Sequence, residues 1–186
     1  DVCVWIATRK GVNLYNKQTC QVIPFPDERL RNRVIDYIVI DKNEISWIAS
    51  GGKIYKCDST AHVIREYELS SESGKSPTVN SIYVDSGGSV WVLSYAGLFK
   101  YDLHTDSFVG YPQLEKGNSF FTMFQDSSGN YWIGTWGEGL WQFFPDKAGE
   151  ECYKRHHVLN PRSGETEPIF FSMTQDDTFG YLWLLS

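Results

Sequence analysis

Val79-Asn-Ser-Ile-Tyr-Val-Asp85-Ser-Gly-Gly-Ser-Val-Trp91-Val-Leu-Ser94-Tyr-Ala-Gly97-Leu-Phe-Lys-Tyr101-Asp102 holds in one line the unit from which this chain is built. The segment before Asp85 reads as a first strand. Asp85-Ser-Gly-Gly-Ser is a tight turn, in which the carboxylate accepts backbone N–H groups and glycine supplies positive φ. A second strand carries Trp91-Val-Leu-Ser94, and a third follows Gly97.

The same line recurs along the 186 residues. Trp5, Trp47, Trp91, Trp132 and Trp183 are spaced by 42, 44, 41 and 51 residues, and each opens a phrase ending in a hydroxyl, as in Trp132-Ile-Gly-Thr135. Asp41, Asp85 and Asp126 stand six residues before their tryptophans, and Asp176 stands seven before Trp183. After each of the first four phrases comes a glycine with an aromatic four residues on: Gly11 and Tyr15, Gly51 and Tyr55, Gly97 and Tyr101, Gly139 and Phe143. A more polar fourth strand follows, at residues 63–69 and 107–111. The second repeat departs from the pattern, with Glu44 where Gly88 and Gly129 stand.

A repeat of about 42 residues with four short antiparallel strands cannot bury both faces alone, and radial stacking buries them against each other. The sequence therefore predicts an all-β fold, a β-propeller of four-stranded blades, about four of them here. Ile38, Ile82, Met123 and Met173, each three residues before its turn aspartate, are expected between blades. The expected divisions are an incomplete blade at 1–33, blades at 34–78, 79–118 and 119–168, and half a blade at 169–186. The chain begins and ends on a second strand, so a seven- or eight-bladed ring with further blades as partners is expected.

Composition narrows the function classes. Hydrophobic residues are 41% and aromatics 16%, which suits a folded all-β protein. A net charge of −6 with scattered basic residues argues against a nucleic-acid partner. The densest basic run, Lys154-Arg155-His156-His157, reads as a solvated outer strand. No apolar run reaches the roughly 18–20 residues of a membrane span. Residues 2–7 already look like a strand, so no signal peptide is expected within the chain. Cys3, Cys20, Cys57 and Cys152 form no CxxC pair and the histidines lack ligand spacing, so no metal is expected, and free, mostly buried thiols are. No cofactor is expected either.

The stretch 79–102 resembles the two-component regulator propeller repeat, and Phe121-Thr-Met-Phe-Gln-Asp126-Ser-Ser-Gly-Asn-Tyr-Trp132-Ile-Gly-Thr-Trp136-Gly-Glu-Gly-Leu140 resembles it more closely. That family's repeats typically form the periplasmic sensor region of hybrid two-component regulators, often those controlling polysaccharide use. The resemblance implies a periplasmic, ligand-sensing segment of a membrane-anchored histidine kinase, with an oligosaccharide as ligand. Kinase activity would belong to the parent protein, so this segment is expected not to be an enzyme.

Two other readings stand beside it. The turn phrase also resembles the Asp-box of sialidase propellers, but a glycosidase of that kind needs arginines on successive blades, and here Arg29, Arg31 and Arg33 crowd one loop. Glu28 and Glu138 would be its candidate acids, and no catalytic residue is assigned. The third reading is a non-catalytic scaffold, for example a homodimer.

For a binder, strand order says where to look. Turns joining second to third strands share a face with the blade-to-blade connections 29–33, 70–78, 115–119 and 160–168, while the aspartate turns lie opposite. Ligand residues concentrate on such variable loops. Trp136 and Tyr95 occupy equivalent turns and suit stacking on sugar rings, with Glu138 and Arg9 as polar partners. For Trp136 the alternative is packing across the blade-to-blade seam.

Overall fold

The tryptophan phrases from Trp47, Trp91, Trp132 and Trp183 each form the second strand of an antiparallel sheet, and the Trp5 phrase forms the opening strand of the first. The computed structural model describes residues 3–69, 77–111, 114, 119–176 and 178–186. Within them, β1 (Cys3–Thr8), β2 (Gly11–Asn16) and β3 (Gln21–Pro24) form a three-stranded sheet. Four-stranded sheets follow in chain order: β4 (Tyr37–Ile40), β5 (Ser46–Ser50), β6 (Lys53–Cys57) and β7 (Val63–Glu68), then β8 (Val79–Val84), β9 (Val90–Ser94), β10 (Gly97–Asp102) and β11 (Ser107–Gly110). The third comprises β12 (Phe120–Gln125), β13 (Tyr131–Thr135), β14 (Leu140–Phe143) and β15 (Tyr153–His156), and β16 (Ser172–Gln175) pairs with β17 (Leu182–Leu185). Every sheet is an up-and-down meander in sequence order, which is the β-propeller blade.

The chain divides into two compact units, Asp1–Ile82 and Tyr83–Ser186, with the division inside β8. In the first unit, Val12, Phe25 and Leu30 pack with Ile48, Tyr55 and Val63, joining the sheets β1–β3 and β4–β7. In the second, Trp91 and Leu98 meet Phe120, Met123, Trp141 and Phe143. Leu140, Phe170 and Met173 then join β12–β15 to β16–β17. Burying each large apolar side chain stabilises by roughly 1.5–3 kcal/mol, so these seams hold the sheets together. Ile82, Met123 and Met173 are buried and Ile38 is half-buried against its cluster, as expected of residues between blades.

The turn aspartates do more than cap their turns. One oxygen accepts backbone N–H groups, as Asp126 Oδ1 does from Ser128 and Asn130 at 3.0 and 2.8 Å. The other accepts the indole N–H of the tryptophan six residues on: Trp47 to Asp41 at 3.0 Å, Trp91 to Asp85 at 2.9 Å and Trp132 to Asp126 at 2.9 Å. The two ends of the motif are thus hydrogen-bonded to each other. At Asp176 the spacing is one residue longer, and Trp183 is 60% exposed. A second ladder runs along this face, because Gln125 Oε1 accepts the Ser86 N–H at 3.0 Å and Gln175 Oε1 the Ser127 N–H at 2.7 Å.

Glu44 keeps the turn without glycine. Its φ is +61°, against +86° at Gly88 and +85° at Gly129, so a side chain occupies the left-handed region. That conformation costs a non-glycine residue about 1 kcal/mol. Glu44→Gly is therefore expected to raise stability by a few tenths to about 1 kcal/mol, read as an upward shift of the urea midpoint. An unchanged or lower midpoint would show that Glu44 is not strained.

Two expectations need correcting. All four cysteines are free, but only Cys57 and Cys152 are buried; Cys20 is exposed in the β2–β3 turn and Cys3 is half-exposed. Burial, followed by the charges of Asp27 and Asp58, pushes the Cys57 thiol up to about 12, so it stays protonated. The basic run is an outer strand, but not a simply solvated one. Arg155 lies over the Trp141 ring at 4.7 Å, and His156 packs against Trp132 at 5.2 Å. Strand pairing sets this up, because Arg155 is the cross-strand partner of Trp141.

Candidate functional site

The hydroxyl closing three of the tryptophan phrases shapes the turn that follows, while Ser50 donates instead to the Val34 carbonyl at 2.8 Å. Thr8, Ser94 and Thr135 donate to the carbonyls of Gly11, Gly97 and Gly139 at 2.7, 3.0 and 2.9 Å. Each accepts a backbone N–H in return, from Lys10, Ala96 and Glu138. The turns are rigid as a result, and the connections lie beside them. Asn32 donates to the Lys10 carbonyl and Ile35 to that of Thr8, both at 3.0 Å. Trp136 donates to Ser119 at 2.9 Å, and Gly137 and Gly139 donate to Pro168 at 3.0 and 2.9 Å. Turn and connection therefore share one face, as strand order required. Of the connections, residues 70–76 and 115–118 lie outside the described residues.

Trp136 is the most developed feature of that face. Its ring contacts Phe121 at 5.9 Å and Phe171 at 5.5 Å, and those two rings meet edge-on at 5.7 Å. Phe121 lies on β12 and Phe171 immediately precedes β16, so Trp136 does pack across the seam. It is nevertheless 49% exposed and Phe171 41% exposed, which leaves an open aromatic platform.

Glu138 lies two residues further along the same turn. Its carboxylate accepts from Arg155 Nη1 at 2.8 Å, with both side chains nearly half exposed, and its carbonyl accepts the Trp141 indole N–H at 3.1 Å. An exposed pair of this kind contributes less than about 1 kcal/mol to stability. Between this turn, the end of β15 and Pro168 opens a cleft of about 270 Å³. Burial, helped by the Lys154 charge, lowers the pKa of His156, so that ring is held neutral.

Tyr95 stands 53% exposed on the equivalent β9–β10 turn. Arg9 is exposed on the β1–β2 turn, in the other unit. Sequence reasoning missed Arg155 and Phe171. The first was legible only through its register with Trp141, the second only through the seam. Arg29 and Arg31 are occupied structurally: Arg29 pairs with Asp27 at 2.6 Å and donates to the Val63 carbonyl, while Arg31 donates to the carbonyls of Phe25 and Pro26. Among the described residues no cluster of three or more His, Cys, Asp or Glu could hold a metal ion.

Residues 115–137 match the family model described as two component regulator propeller. This part of the chain is similar to a two-component regulator propeller repeat. The matched repeat spans β12 and β13 and ends on Trp136 and Gly137; the stretch 79–102 lies outside the match. No curated protein matches the chain. Among solved structures it is similar to an extracellular domain assigned to a hybrid two component system of B. thetaiotaomicron, BT4673, at 20% identity and a TM-score of 0.80, covering 98% of this chain and 24% of that one. A second such domain, BT3049, gives 22% identity and 0.74 over 99% and 25%. The chain thus spans about a quarter of the length of these domains. Virginiamycin B lyase from Staphylococcus aureus is also similar, at 12% identity and 0.72 over 98% and 59%. These likenesses establish the propeller fold, and because they include both sensor domains and a lyase the fold alone does not choose a function.

Proposed function

We propose that this chain is part of the extracytoplasmic, ligand-sensing propeller of a hybrid two-component sensor histidine kinase, and that it responds to oligosaccharides. The observation that carries the reading is the two-component regulator propeller repeat over residues 115–137. The similarity to extracellular domains assigned to hybrid two component systems supports it and favours a periplasmic location. In this reading the segment binds and the catalysis lies in a separate kinase domain of the parent protein. No helix among the described residues is long and apolar enough to cross a membrane.

The oligosaccharide reading rests on the Trp136 platform. Aromatic faces stack on the C–H faces of sugar rings, and the neighbouring Glu138 and Arg155 offer an acceptor and donors to hydroxyls. Calorimetry against a panel of oligosaccharides is expected to find a binder, and Trp136→Ala to weaken it about tenfold, which is about 1.4 kcal/mol. Unchanged binding in that variant would remove the site from this turn. Turnover of a chromogenic glycoside would instead make the segment a hydrolase.

A further inference from the structure

We infer that the cleft beside Trp136 receives the carboxylate of a uronic acid unit, with Arg155 as its anion-binding group. This rests on the saccharide reading above and names the class of sugar.

Arg155 is held in place before any ligand arrives. Its guanidinium lies 4.7 Å from the Trp141 ring and 6.0 Å from that of Tyr153, and those two rings stack at 4.5 Å. A guanidinium resting on aromatic faces has little rotamer freedom left to lose on binding. It carries five N–H donors. One of its nitrogens, Nη1, reaches Glu138, and among the described residues Nε and Nη2 have no protein partner. With the side chain 47% exposed and lining the cleft, those donors are available to a ligand. A forked pair of N–H donors matches a carboxylate in two parallel bonds, whereas a neutral hydroxyl takes only one.

The lining adds no unpaired negative charge to oppose an anion. The chain carries −6 overall, yet Glu138 is the one carboxylate among the residues lining the cleft, and it is paired with Arg155 beside the His156 and His157 rings. Glu167, on the neighbouring connection, accepts from Asn160 at 3.2 Å. About 270 Å³ is below the roughly 300–1,000 Å³ of drug-sized sites, which suits one sugar unit. The next unit would then lie over Trp136, the residue adjoining Gly137 at the cleft mouth. The free face of Glu138 is left to accept a ring hydroxyl.

Calorimetry on the 186-residue chain tests this with trisaccharides of galacturonic and glucuronic acid, their galactose and glucose counterparts, and triglutamate. At least one uronate trisaccharide is expected to bind at least tenfold more tightly than its neutral counterpart and to weaken as salt rises from 50 to 500 mM, about tenfold being 1.4 kcal/mol. Arg155→Gln keeps a stem over Trp141 and removes the charge; it should abolish the preference for the acidic sugar, the uronate losing at least tenfold more affinity than its neutral counterpart. Arg155→Lys keeps the charge without the fork and should retain only part of the preference, which secures the test if the glutamine variant folds poorly. Equal binding of acidic and neutral sugars, unaffected by either variant, overturns the inference and leaves the saccharide reading standing. Triglutamate binding as tightly as the uronate overturns the sugar class. Failure of every saccharide to bind overturns both.

Discussion

Asp85→Ala is expected to destabilise the protein by about 3–5 kcal/mol, the largest effect of any turn aspartate. The carboxylate is 6% exposed and accepts three bonds: from the Ser89 N–H at 2.8 Å, the Trp91 indole N–H at 2.9 Å and the Tyr131 hydroxyl at 2.7 Å. The last comes from the next sheet, so this one side chain closes its own turn, anchors its own tryptophan and ties β13 to β8–β11. Truncation leaves the Trp91 indole N–H buried without an acceptor, and Trp91 is fully buried. Bonds to a charged group contribute roughly 1.5–3 kcal/mol each and do not add fully. Asp176→Ala, whose carboxylate among the described residues accepts the exposed Thr178 and Phe179 N–H groups, should cost about 1 kcal/mol or less. Urea unfolding followed by tryptophan fluorescence compares the two, and equal losses would refute the assignment.

The same carboxylate sets a pH dependence. Burial pushes the Asp85 pKa up, but the bonds from Trp91, Tyr131 and Ser89 outweigh it and hold it below the ordinary carboxylate range. Asp126 behaves alike through Trp132 and Asn130. At Asp27 the Arg29 guanidinium, against burial, brings the pKa to about 2. A carboxylate whose folded pKa lies below its unfolded value of about 3.9 stabilises fully above that value, and the contribution disappears as pH falls through the folded pKa. Stability should therefore hold from pH 7 to about 5 and fall between about 4 and 2. The acid slope should be shallower in Asp85→Ala.

How far the sequence carries depends on separation along the chain. The tryptophan spacing, the hydroxyl phrase and the glycine–aromatic pair are local, and they placed every second and third strand. The Asp–Trp bond was in principle legible, because the six-residue spacing is constant at Asp41, Asp85 and Asp126 and breaks only at Asp176, where the tryptophan is exposed. Tyr131 to Asp85 and Gln175 to Ser127 were not legible, since they join residues 46 and 48 apart and need the blades already stacked. The candidate site shows the same limit. Trp136 and Glu138 belong to one turn, so a local pattern names them together. Arg155 was read as a solvated strand residue because its role depends on the β14–β15 register that sets it over Trp141. Phe171 depends on the seam between sheets, about which a local pattern says nothing.

Gly134→Ala is the second large expected loss, about 2–4 kcal/mol, of the size seen when a close-packed interior is overfilled. A Cβ at Gly134 would stand 2.7 Å from Thr122 Cγ2, 2.8 Å from the Phe170 carbonyl oxygen and 2.9 Å from Phe170 Cβ. Two of the three are rigid neighbours. Phe170 is 1% exposed, belongs to the cluster joining β12–β15 to β16–β17, and donates its N–H to Thr135 at 3.2 Å. It cannot retreat without opening the seam. Gly137→Ala, three residues on, is the control: nothing lies within 4 Å of its Cβ, and its φ of +115° leaves a purely backbone cost of roughly 1–3 kcal/mol. Equilibrium unfolding of the two variants separates steric from conformational cost, and a loss at Gly134 no greater than at Gly137 would show that the seam can yield. Phe170 lies between Pro168, which holds the Trp136–Gly139 turn, and Phe171, which completes the aromatic platform. Gly134→Ala should therefore also weaken saccharide binding at Trp136 without touching the ligand, because the platform is assembled by the seam that this glycine allows to close.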